Sequence, residues 1–146
     1  FRGLSVPSMG TAGGTITHLL LADKAGNKLF SRSWEQGHEL HWEKAVVSAT
    51  KPLWPEEMKK GECHIGYSGT RQVVYTCVDQ VMIFALGNGI SELGLQEYLR
   101  ALVGVLHRFE KKGVLTTKAI QEHLGDVVGA VDHTVWHGDL AWTLAT

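Results

Sequence analysis

Residues 90–112 read ISELGLQEYLRALVGVLHRFEKK, and this stretch decides the fold. Its apolar residues recur at i, i+3, i+4 and i+7, the spacing that puts side chains on one face of an α-helix. Ser91 suits an N-cap, and Gly113 is predicted to end the helix. A stripe this regular is typical of a helix packed on a hydrophobic core. Its members are Leu95, Tyr98, Leu99, Leu102, Val103, Leu106 and Phe109.

A second helix is predicted over residues 118–135, with Thr116 or Thr117 as its cap. Gly125 and Gly129 lie one turn apart in it, and each glycine in a helix costs about 0.5–1 kcal/mol relative to alanine. Such residues are tolerated where another backbone packs close, so we expect this helix to lie flat on a sheet. Its predicted inner face consists of Ile120, Leu124, Val127, Val128, Val131 and Val135.

The first part of the chain has strand patterns. Residues 15–34 contain two apolar segments separated by the turn sequence DKAGN, which predicts a β-hairpin. Residues 62–87 contain three segments rich in Val, Tyr, Ile and Phe, which predict a three-stranded meander. Between them, residues 35–54 have helical spacing, and the helix should end near Pro52. The order ββαβββαα predicts an α+β domain with helices covering a mixed or antiparallel sheet.

Composition limits the function classes. The 146 residues fit one domain, and a formal net charge of −1 gives no reason to expect binding to nucleic acid or to an acidic membrane. No apolar run approaches the roughly 20 residues that span a bilayer. The two cysteines are predicted to be free thiols in a reducing compartment. Residues 1–14, rich in Gly and Ser, are predicted to be a flexible leader, and residues 15–143 form the predicted domain.

Four segments together resemble the small subunits of heterotetrameric vesicle coats. They are LLADKAGNKLFSRSW (20–34), VVYTCVDQVMIFALG (73–87), SELGLQEYLRALVGVLHRF (91–109) and AIQEHLGDVVGAVDHTVWHGDL (119–140). The similarity extends over residues 15–143 in order and spacing. It is strongest to the zeta subunit of coatomer and to the small subunit of the TSET/TPLATE coat, followed by the sigma subunits of clathrin adaptors.

The resemblance implies a longin fold, a five-stranded antiparallel sheet with helices on both faces. It also implies a non-catalytic subunit without a cofactor, which a large helical-solenoid subunit embraces and which stabilises the coat core in intracellular or endocytic trafficking. The implied location is cytoplasmic and peripheral to membranes or coated vesicles, with membrane contact only through the complex. An alternative is another longin or roadblock-type module in a tether or GTPase-regulator complex.

Five tryptophans are many for one small core, and Trp is enriched at protein interfaces. We therefore predict partner contacts for Trp34, Trp42, Trp136 and Trp142, while the alternative is that about half of the tryptophans cover the core. Trp142 stands where the coat subunits usually have Glu, and an apolar residue there favours a buried contact.

In sigma subunits a pocket also binds acidic dileucine sorting signals. The residues of this chain that match its apolar positions are Asp79, Val81, Val103, Lys112, Gly113 and Lys118. Lys28 matches the basic position that meets the acidic part of the signal. Asp79 and Lys118 would lose hydration beside leucine side chains unless they are paired. The sequence therefore favours a scaffold role over signal recognition.

The segment VDHTVWHGD (131–139) raises the question of a metal site, because His133 and His137 are four residues apart. Zinc needs four ligands, or three and a water, and His123 lies roughly 80° around the helix from His133. We therefore predict surface histidines, no bound metal and no catalytic residue. An enzyme or metal protein remains the third function class, although the chain has no G-x-S-x-G motif.

Overall fold

The computed structural model describes residues 14–34, 41–59, 61–136 and 139–140. Most of the predicted leader and residues 141–143 lie outside these ranges. Among the described residues, five strands form one antiparallel sheet in the order β2-β1-β5-β4-β3. Their bounds are β1 (Thr15–Asp23), β2 (Lys28–Ser33), β3 (Cys63–Ser68), β4 (Arg71–Val78) and β5 (Val81–Asn88). Two short strands, β6 (Val135–Trp136) and β7 (Asp139–Leu140), form a separate pair.

Four α-helices complete the described part of this α+β domain. They are α1 (Trp42–Thr50), α2 (Glu92–Leu106), α3 (Thr117–Glu122) and α4 (Leu124–Thr134). Single 3₁₀ turns, Lys51–Leu53 and His107–Phe109, extend α1 and α2. Of the helices described, none has the length and apolarity needed to cross a membrane.

The hairpin and the meander are confirmed, and β1 joins them by pairing with β5 in antiparallel register. Leu19 lies opposite Ala85, and Leu21 lies opposite Ile83. Because these residues are more than 60 positions apart, the sheet depends on a contact that no local pattern contains. The predicted helix over residues 35–54 is described only from Trp42, and it ends near Pro52 as expected.

Along the central strands, successive residues belong alternately to two separate hydrophobic clusters. Leu19 and Leu21 belong to the main cluster, together with side chains of α2, α3 and α4. Leu20 and Phe84 belong to the α1 cluster, together with Val46 of α1. This alternation is what a strand produces when both of its faces are buried.

The apolar stripe of α2 packs in the main cluster, as predicted. Leu102 is 0% exposed and lies in the same cluster as Val74 and Ile83 of the sheet. The Ser91 hydroxyl accepts a hydrogen bond from the Gly94 N–H at 3.0 Å, which confirms the N-cap.

The predicted C-terminal end of α2 is wrong. The α-helix ends at Leu106, and its 3₁₀ turn ends at Phe109, before the predicted stop at Gly113. Lys111 and Val114 instead exchange two backbone hydrogen bonds, of 2.9 and 3.1 Å. Positive φ at Lys112 and Gly113 makes this tight turn possible. The turn forms hydrogen bonds with backbone groups that would otherwise bond within a longer helix.

The predicted helix over residues 118–135 is also corrected, because His123 breaks it with φ −112° and ψ 28°. Thr116 caps the first segment by accepting the Ala119 N–H at 3.0 Å. Leu124 is 40% exposed, which the predicted inner face did not anticipate, whereas Val127 is buried as predicted.

The two glycines of α4 do not mark a close backbone contact. A Cβ atom added at Gly125 or Gly129 would meet no atom within 4 Å. The expectation that these glycines let the helix press on the sheet is therefore wrong, since both face open space.

Candidate partner-binding surfaces

Two exposed apolar side chains lie beside β3, an outer strand of the sheet. Tyr67, on β3 itself, is 60% exposed, and Leu53, at the end of the turn after α1, is 59% exposed. A Cβ atom at Gly66 would lie 3.8 Å from Leu53 Cδ1, which places Leu53 against β3. Neither residue was among the predicted contact residues. In the sequence, strand alternation puts Tyr67 on the same face as Ile65, which does not by itself indicate exposure.

The tryptophans predicted to contact a partner have different surroundings. Trp34 is half-buried against the main cluster. Trp42 is 7% exposed, and its ring meets the ring of His18 with 4.6 Å between centroids. Trp42 thus packs in the core of the chain, and we remove it from the predicted partner surface. Trp136 lies in β6, but its side chain is outside the described residues, as is the whole of Trp142.

The turn between β4 and β5 binds the loop before α3. The Asp79 carboxylate accepts a hydrogen bond from the Leu115 N–H at 2.8 Å, and the Gln80 N–H donates to the Leu115 carbonyl at 3.2 Å. Asp79 has φ 55°, a left-handed backbone conformation that is uncommon for residues other than glycine. The carboxylate is therefore paired, which is the condition under which a charge beside apolar side chains is tolerated.

The other residues matched to the sorting-signal pocket differ in exposure. Val81 is fully buried in the main cluster, whereas Val103 of α2 is half-buried against it. Lys112 and Gly113 are exposed in the turn after α2, and Lys118 is exposed on α3. The structure thus places this set partly inside the core and partly at the surface.

Lys28 lies beside α1. Its ammonium nitrogen is 3.7 Å from a carboxylate oxygen of Glu43, which also accepts the Ser31 hydroxyl at 2.8 Å. Burial alone would raise the pKa of Glu43, but the bonds from Ser31 and Lys28 outweigh it and hold this pKa below its usual value. The basic group expected to meet an acidic signal is therefore already beside an acidic residue of the chain.

An open groove of ≈ 930 Å³ runs between α4 and the 3₁₀ turn after α2. Gly125 and Gly129 line one side. Phe109 lines the other, with the Arg108 guanidinium 5.2 Å from its ring centroid and the His123 ring 5.9 Å away. The groove therefore combines an aromatic wall with helix positions that have no side chain.

The charged side chains that line this groove do not favour a ligand of either sign. Arg108 and Lys111 bring positive charge to its lining, whereas Glu110 and Asp126 bring negative charge. Lys111 also pairs with Glu122 at 3.0 Å. At neutral pH the formal charges of the lining therefore cancel.

The C-terminal histidine pair is only partly described. His133 is exposed near the end of α4, and its neighbour Asp132 pairs with Arg32 of β2 at 3.0 Å. His137 lies outside the described residues. In the ranges that the structure describes, no three His, Cys, Asp or Glu side chains are grouped as metal ligands would be.

Both cysteines are free thiols, as predicted. Cys77 is buried in the α1 cluster and Cys63 is half-buried on β3. Burial raises the pKa of each thiol above its usual value, which keeps the thiols protonated and weakly nucleophilic.

No protein-family model matches the chain, and no curated protein sequence matches it.

Proposed function

We propose that this chain is a non-catalytic small subunit of a vesicle-coat adaptor complex, similar to coatomer zeta or to the TSET/TPLATE small subunit. The observation that carries the proposal is the pairing of β1 with β5, which joins the N-terminal hairpin to the meander. The resulting five-stranded antiparallel sheet, with its long capped helix α2, agrees with the longin fold that the resemblance implies.

We also infer that helices cover both faces of this sheet. Leu19 and Leu21 pack with α2 and α4, while Leu20 between them packs with α1. Since successive residues of a strand point to opposite faces, the two clusters should lie on opposite sides. This inference supports a longin-like arrangement.

A large helical-solenoid subunit is the proposed partner, as the resemblance implies. Two exposed apolar side chains that both lie beside β3, Leu53 and Tyr67, support an association surface there. Among the described residues, the exposed large apolar side chains are Leu53, Tyr67, Leu93, Val114 and Leu124. In this proposal the chain is cytoplasmic, has no cofactor or nucleic-acid partner, and meets membranes only through the complex.

A scaffold role is favoured over recognition of a dileucine signal. Val81, one of the matched pocket positions, has no exposed surface, and Lys28 already has Glu43 as an acidic neighbour. Asp79 is satisfied by the backbone of the chain. A signal peptide would have to displace these contacts, and that displacement reduces the free energy of binding.

Affinity purification from the cells of origin, followed by mass spectrometry, tests the proposal. The tagged chain should recover large and medium coat subunits in near-stoichiometric amounts, and Leu102→Ala should recover less because it destabilises the fold. Lys112→Ala, at an exposed turn, is the control that should recover the same subunits. Recovery of tether or small-GTPase-regulator subunits instead would contradict the proposal and favour the alternative longin or roadblock module.

A further inference from the structure

We draw no further inference here: the strongest candidate, the open groove between α4 and the 3₁₀ turn after α2, with Phe109 on one side and Gly125 and Gly129 on the other, carries none, because the formal charges of its lining cancel and nothing in the described part of the chain shows what covers it.

Discussion

Replacing Leu102 with alanine tests whether α2 is the core helix of the fold. Leu102 is 0% exposed and lies in the main cluster with Val74 and Ile83 of the sheet. The change removes three buried carbon atoms and leaves a cavity, since close-packed neighbours relax only partly. Leu→Ala changes at buried sites cost about 2–5 kcal/mol. Domains of this kind have only roughly 5–15 kcal/mol of unfolding free energy, so the loss should be large.

Urea titration of the purified chain, followed by circular dichroism, measures this loss. For a domain of this length each kcal/mol corresponds to about 2–4 °C in the melting temperature, so Leu102→Ala should melt roughly 4–20 °C lower. Leu93→Ala is the matched control, because it makes the same substitution on the same helix at a residue that is 59% exposed. It should change the free energy of unfolding by less than about 0.5 kcal/mol. Equal midpoints for the two variants would refute the placement of α2.

Three further predictions follow from individual side chains. Asp79→Ala should destabilise the chain by about 1–3 kcal/mol in urea titration, because the Leu115 N–H loses its partner and alanine disfavours positive φ. Asp79→Asn keeps an acceptor and should cost less, and an equal cost would show that the bond is not the cause. Glu43 has a lowered pKa in the folded chain, so its stabilisation is present above pH about 4.5 and is lost as the pH falls through the folded value. Unfolding free energies of the unmodified chain and Glu43→Gln should therefore converge in acid, and a constant difference down to pH 3 would contradict this. A thiol reagent monitored by mass spectrometry should modify Cys63 before Cys77, whose modification should follow unfolding. Simultaneous modification of the two would place Cys77 at the surface.

The strands and their turns could be predicted because their determinants are local. The DKAGN turn and the segments rich in Val, Tyr, Ile and Phe in residues 62–87 are properties of neighbouring residues. The stripe of α2 likewise repeats within one helix. By contrast, the pairing of β1 with β5 joins residues that are far apart in the chain, so the sheet order was not available from any single segment.

The errors arose where contacts outside the helix compete with local helical preference. The end of α2 is set by the backbone bonds between Lys111 and Val114. The break at His123 accompanies the packing of its ring beside Phe109, a contact that helical periodicity does not reveal. Trp42 was assigned to a partner from composition alone, although the α1 cluster needs its ring.

The candidate site was less predictable than the fold. Exposure of Leu53 and Tyr67 depends on where the sheet ends, and the sheet order fixes β3 as an outer strand. From residue type alone, the tryptophans were predicted to contact a partner, since Trp is common at interfaces. The edge of β3 became visible only when the pairing of every described strand was known.

The melting temperature of the chain with and without the N-terminal trunk of the large coat subunit tests the central claim most directly. A partner that binds only the folded chain stabilises it by about 2.7 kcal/mol at a free concentration one hundred times the Kd. For a domain of this length that corresponds to a rise of roughly 5–11 °C. We predict a rise of this size, which saturates at one trunk per chain. An unchanged melting temperature at saturating concentrations of every large coat subunit from the source organism would contradict the assignment to a vesicle coat.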